Sequence, residues 1–172
     1  MYVAVVVRVW VRPVCHRVVC LKRFHQSIAA LYSLKDRVHS IREEIQPRLW
    51  AYMAGIAKGH GIHAVAIGGF ADHAHALIDL GAILGTAKAV QVLKANSSRW
   101  MKEHGSARFE WQEGYFACSV SKSQAATIRQ YVVNQKDHHG RMDFAKEFKL
   151  LAKKHGFEIG IEANQEVGCA VP

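Results

Sequence analysis

Segments with two different hydrophobic periods succeed one another along this chain, and their order restricts the fold more than any other feature. Gln26 to Ser33 is a short apolar run that stops at the charged turn Lys35-Asp36-Arg37, and it is expected to be a first strand. From Glu43 to Gly59, apolar residues recur at Ile45, Leu49, Tyr52, Met53, Ile56 and Ala57. Steps of three and four mark one face of a helix. Pro47 falls in the first turns, where a missing N–H does least harm. Gly59 and Gly61 punctuate the end. HAVAIGG (63–69) and HAHALIDL (73–80) read as two strands, joined by Phe70-Ala71-Asp72 into a hairpin.

Thr86 to His104 reads as a long helix. Ala89, Val90, Leu93, Trp100 and Met101 supply its buried side, and Lys88, Lys94, Arg99 and Lys102 its wet side. A loop from Gly105 to Gly114 leads to a strand at Tyr115–Val120. Ser121 or Ser123 is placed to cap a following helix that runs to about His138, since a serine oxygen accepts first-turn N–H groups. A last amphipathic stretch, Asp143 to His155, carries Phe144, Phe148, Leu151 and Ala152 on one side. The order β-α-β-β-α-β followed by two helices predicts an α+β fold. It is the ferredoxin-like split β-α-β sandwich, with an antiparallel sheet and extra C-terminal helices.

A chain of 172 residues suits one domain with a real core. Its 23 Lys and Arg against 14 Asp and Glu leave a formal charge of +9. Such a balance favours a polyanionic partner, because each neutralised phosphate releases counterions. An ordinary solvated basic surface is the plainer alternative. Cys15, Cys20, Cys118 and Cys169 form neither a disulfide framework nor a Cys-x-x-Cys metal pair. The opening MYVAVVVRVWVRPVC is apolar, but Arg8 and Arg12 interrupt it too early for a membrane span. It also lacks the form of a secretion signal. The expected organisation is an N-terminal extension over 1–24, a folded body over 25–158 and a tail over 159–172. No membrane partner is expected.

Two spacings carry chemistry. His73 and His75 stand two apart on an expected strand, so both imidazoles leave the same face. Tyr131 and Gln135 stand four apart on an expected helix and share a side of it. If that helix crosses the open face of the sheet, one site gathers two imidazoles, an amide oxygen and a phenol. Imidazole with oxygen ligands suits Mn²⁺ or Mg²⁺ with open positions. A tyrosine is a possible covalent nucleophile. Each spacing alone has a plainer reading: exposed or hydrogen-bonded histidines, and a tyrosine in the core or at its rim. Asp72 could join a metal site, although turn chemistry accounts for an acidic residue there. His138-His139 could contact phosphate or metal, or simply interact with a helix C-terminus.

AIGGFADHAHALIDL resembles the His-hydrophobic-His block of the HUH transposases. NSSRWMKEHGSARFEWQEGYFACSVSKSQAATIRQYVVNQKDHH resembles the second half of the small single-tyrosine insertion-sequence transposases. The likeness is nearest to the branch associated with repetitive extragenic palindromes (REP). KDR at 35–37 and FAKEF at 144–148 fit as well, so it spans about residues 26–158. Ala74 is smaller than the residue this family usually sets between the two histidines.

The resemblance implies a metal-dependent enzyme that nicks and rejoins single-stranded DNA through a 5′-phosphotyrosine. Tyr131 would be the nucleophile, and His73, His75 and Gln135 would hold Mg²⁺ or Mn²⁺, with Asn134 an alternative to Gln135. It also implies hairpin or palindromic DNA as partner, a homodimer, and a bacterial cytoplasmic setting with nucleoid association on DNA. In relatives the tyrosine helix of one subunit serves the metal site of the other. By position, Lys94, Arg99 and Arg129 are expected to grip phosphate, and Trp100 or Trp111 to stack on an exposed base. The main alternative is a non-catalytic nucleic-acid-binding protein on the same fold. A structural metal protein is disfavoured, because two histidines and one amide are too few for a closed site.

Overall fold

The computed structural model describes residues 25–135 together with Lys149, Leu150 and Lys153. Strand β1 (His25–Ser33) leads through a 3₁₀ turn at Lys35–Arg37 to helix α1 (Gln46–Gly59). Strands β2 (His63–Gly69) and β3 (His73–Gly81) precede helix α2 (Thr86–His104). Strand β4 (Phe116–Val120) and helix α3 (Lys122–Val133) follow. All pairings are antiparallel, in the order β2-β3-β1-β4. Both outer strands come from the ends of the two split units, as expected for the ferredoxin-like arrangement.

Alternation along the strands divides the sheet into two faces. Ile28, Ala30 and Tyr32 of β1 join Ala74, Ala76, Ile78 and Leu80 of β3 in a core with Leu49, Met53 and Ala57 of α1 and Ala89, Val90, Leu93 and Met101 of α2. Truncating a residue such as Leu49 in that layer costs on the order of 2–5 kcal/mol. The opposite face carries His73, His75, Leu77 and Asp79 of β3, with Leu31 of β1 beside His75. Helix α3 crosses this second face and touches β2, β3 and β1.

The crossing depends on an irregularity in β2. His63 pairs with Asp79 and Ala64 with Ile78, but the register then slips at Val65, and Ala66 pairs with Leu77. Had the first register continued, Gly68 would stand opposite Ala74 and face the core. The bulge sets it opposite His75 instead, on the face under α3. A Cβ at Gly68 would strike the Val132 carbonyl oxygen, with the carbonyl carbon 3.3 Å away. Glycine therefore permits the close approach of helix to strand.

Helix α1 begins at Gln46, three residues later than the periodicity suggests, with Pro47 in its first turn. The anticipated serine cap on α3 is not made. Ser121 is the N-cap residue, but its hydroxyl pairs with Ser123 Oγ at 2.9 Å and Gln124 Oε1 at 3.3 Å. Neighbouring side-chain oxygens compete successfully for it. The extension over 1–24, most of the Asp143–His155 stretch, His138-His139 and the tail over 159–172 lie outside the described residues.

Candidate active site

His73 opens β3 and is fully buried, and His75 follows it two positions later on the same face. Their ring centroids lie 5.1 Å apart with planes at 83°. Ala74 between them points into the helical core, where its small side chain sits against a completely covered layer. The Tyr131 ring meets His75 edge-on, with centroids 5.4 Å apart and planes at 89°. The Nε2 atoms of both histidines and the Tyr131 hydroxyl are buried. Gln135 is buried one turn further on, its carboxamide nitrogen donating to the Tyr131 carbonyl at 3.2 Å. Strand spacing and the crossing of α3 thus bring His73, His75 and Tyr131 together within a single chain. The helix ends at Val133, short of the expected His138, so Gln135 lies past the C-cap residue Asn134 and reaches Tyr131 only through its backbone carbonyl among the contacts described.

That donor set tests the expected metal. Two neutral imidazoles and an amide oxygen fit a divalent ion that keeps positions open for water and phosphate. Among the described residues, no group of three His, Cys, Asp or Glu is disposed to hold a metal.

Asp72 ends the β2–β3 turn, and its carboxylate is buried. Oδ1 lies 2.7 Å from His73 Nδ1, and Oδ2 lies 3.8 Å from His39 Nε2. A second polar row crosses the same sheet face further along β3. Asp79 accepts from Ser27 Oγ at 2.6 Å and contacts His63 Nδ1 at 3.0 Å. Sequence reasoning passed over this row. Its signal was the parity of Asp79 with His73 and His75.

The expected DNA contacts divide between the two faces. Arg129 is exposed on α3, on the side of the histidines. Arg99 is exposed on α2, in the opposite layer, and donates to Asn96 Oδ1 at 3.1 Å. Lys94 is half-buried, and burial lowers its pKa, with Glu113 partly opposing. Its ammonium donates to the carbonyls of Gln112, Glu113 and Gly114 beside a groove of about 330 Å³. Trp100 is packed on both faces, against Tyr52 at 5.3 Å and His104 at 4.7 Å. Trp111 is not an exposed stacking platform. It is buried, with Nε1 donating to Ser97 Oγ at 2.9 Å and its ring against Tyr32 and Phe109.

No helix among the described residues is long and apolar enough to cross a membrane. Solved structures share the fold, among them these two. One, a candidate transposase from Deinococcus radiodurans R1, is 22% identical with a TM-score of 0.53, over 72% of this chain and 98% of that one. The other is a REP-associated tyrosine transposase bound to a REP hairpin, 10% identical with a TM-score of 0.54, over 88% of this chain and 97% of that one. No curated protein matches the sequence. The profile of the IS200-like transposases matches residues 22–135, the stretch that holds both histidines, the tyrosine and the glutamine. With two thirds of its length inside that profile, this chain belongs to the IS200-like transposase family.

Proposed function

We propose that this chain cuts and rejoins single-stranded DNA through Tyr131, at a centre where His73, His75 and Gln135 hold Mg²⁺ or Mn²⁺. The observation that carries the reading is the convergence of Tyr131 on His75 within one chain. Membership of a transposase family supports strand cleavage and transfer in general. In the step proposed, Tyr131 Oη attacks a backbone phosphorus and an Oη–P bond forms. The P–O3′ bond breaks, and the phenolic proton passes, in net, to the departing 3′ oxygen. The products are a 5′-phosphotyrosine and a free 3′-hydroxyl. A 3′-hydroxyl attacking the same phosphorus reverses the exchange, so religation needs no ATP. A bound divalent ion would polarise the phosphate and offset its charge. The close seating of α3 over Gly68 holds the phenol in place for repeated attack.

The proposed substrate is a single strand carrying a hairpin or palindromic end, and the proposed branch is the REP-associated one. The likeness in fold to a REP-hairpin-bound transposase supports both. A formal charge of +9 supports a nucleic-acid partner. The sequence resemblance supports a homodimer acting on bacterial DNA. Arg129, exposed on α3 two residues before Tyr131, is the proposed phosphate contact on that helix. Arg99 would serve DNA that wraps to the α1–α2 layer, whereas Lys94 and Trp100 are engaged within the fold.

Denaturing electrophoresis after mixing the protein with a hairpin strand labelled on the 3′ side of the cut tests the reading. Label should travel with the protein when Mn²⁺ or Mg²⁺ is present and stay with free DNA under chelation. Tight hairpin binding with no covalent product in either metal would make this a binding module instead.

A further inference from the structure

We propose that Asp72 is a positioning residue, which holds His73 in the tautomer that presents its Nε2 lone pair to the divalent ion. The proposal rests on the metal role of His73 put forward above. An aspartate at a hairpin turn ordinarily bonds to its own turn backbone. This one reaches the ring of the next residue, at 2.7 Å between Oδ1 and Nδ1. Both groups are out of solvent, the carboxylate with 3% of its side chain exposed and the ring with none.

The geometry selects one tautomer. A proton on Nδ1 makes a short charge-assisted bond to the carboxylate and leaves the lone pair on Nε2. The other tautomer would set the Nδ1 lone pair against a carboxylate oxygen at the same distance, away from the screening of bulk solvent. Carboxylate-to-histidine-to-metal relays orient ligands in this way and raise their basicity.

The turn is held from outside the hairpin. Ile41 N donates to the Ala71 carbonyl at 3.0 Å and Leu34 N to the Asp72 carbonyl at 2.7 Å, while Phe70 N donates to the His73 carbonyl at 3.1 Å. His39, with 69% of its side chain exposed, stands on the outer side of the carboxylate. The segment between β1 and α1 therefore fixes where Asp72 stands, and Asp72 fixes His73.

The test is ¹⁵N-histidine NMR of the metal-free protein, paired with Mn²⁺ titration calorimetry. Wild-type His73 should carry its proton on Nδ1. Asp72→Ala should move that proton to Nε2 and weaken Mn²⁺ binding by about 10- to 100-fold. Asp72→Asn, whose amide oxygen accepts the same proton, should restore the tautomer and most of the affinity. Asp72→Ala that keeps the Nδ1 proton, or moves it without weakening Mn²⁺ binding, overturns the proposal. Should the alanine variant not fold, the wild-type spectrum and the asparagine variant decide. A wild-type His73 protonated only at Nε2 overturns it without any variant. If the wild type binds no Mn²⁺ yet Asp72→Ala still moves the proton, the metal reading falls and the orienting role of Asp72 stands.

Discussion

His75 and Tyr131 stand edge to face inside one chain, with ring centroids 5.4 Å apart, although 56 residues separate them. A strand and a helix that are remote in sequence therefore share one centre, and changes to either should be felt in the same chemistry.

Tyr131→Phe keeps the ring against His75 and removes only the hydroxyl. Covalent transfer of DNA to the protein should fall by at least about a thousandfold. Hairpin binding, read by a gel-shift titration, should stay within about twofold, and folding stability within about 1 kcal/mol. A phenylalanine variant that still takes up label would remove Tyr131 from the nucleophile's role.

His75→Ala should abolish metal-dependent cleavage while the chain still binds hairpin DNA. Chelator-treated wild type should recover cleavage on addition of Mn²⁺, and the variant should not. Unchanged cleavage by chelated wild type, assayed on the same strand, would count against any metal at this centre.

Gly68→Ala should lift α3 from β2, because its Cβ meets the Val132 carbonyl. The expected cost is about 1–3 kcal/mol in chemical denaturation, with cleavage reduced more than DNA binding. Gly55→Ala is the control. Nothing lies within 4 Å of its would-be Cβ, and it sits in the middle of α1. That variant should gain about 0.5–1 kcal/mol. Equal behaviour of the two variants would show that the close approach at Gly68 does not matter.

Tyr32→Phe should stabilise the fold at neutral pH by about 1 kcal/mol. The Tyr32 hydroxyl is buried with no hydrogen-bond partner among the described residues, and an unsatisfied buried hydroxyl is costly. Burial also raises the Tyr32 pKa above its ordinary value of 10.0. The unfolded chain thus loses this proton before the folded one does. Stability tied to the neutral phenol is complete below pH 10 and declines as pH rises above it. Denaturation curves on both sides of pH 10 should show a shallower alkaline decline in the phenylalanine variant. An identical decline would exonerate Tyr32.

Arg129→Ala should weaken binding of single-stranded DNA and flatten its salt dependence by about 0.7 in the logarithmic slope, as expected for one lost phosphate contact. Affinity measured across a salt series checks this. A parallel shift with unchanged slope would mean that Arg129 does not touch phosphate.

Strand and helix periods needed only local sequence, because side-chain direction repeats every two or 3.6 residues whatever lies nearby. That is why the spans of β2 and α2, and the shared face of His73 with His75, were legible in the sequence, whereas the end of α3 at Val133, ahead of Gln135, was not. Alternation likewise placed the apolar residues of β3 against a helical layer. The fates of Trp100 and Trp111 were not legible. An aromatic's period does not tell whether another ring will cover its face, or a hydroxyl such as that of Ser97 will accept from its N–H.

What the sequence by itself determined is therefore the order of the elements and the identity of each chemical face. Only the tertiary structure decided that those faces meet. The slip at Val65 turns Gly68 under α3, the missing Cβ lets Val132 approach, and Tyr131 descends on His75. Asp72 reads as an ordinary turn residue until the β1–α1 segment ties down the turn and aims the carboxylate at His73. A bulge and a docked turn arise from pairing between distant segments, and no local period encodes such pairings.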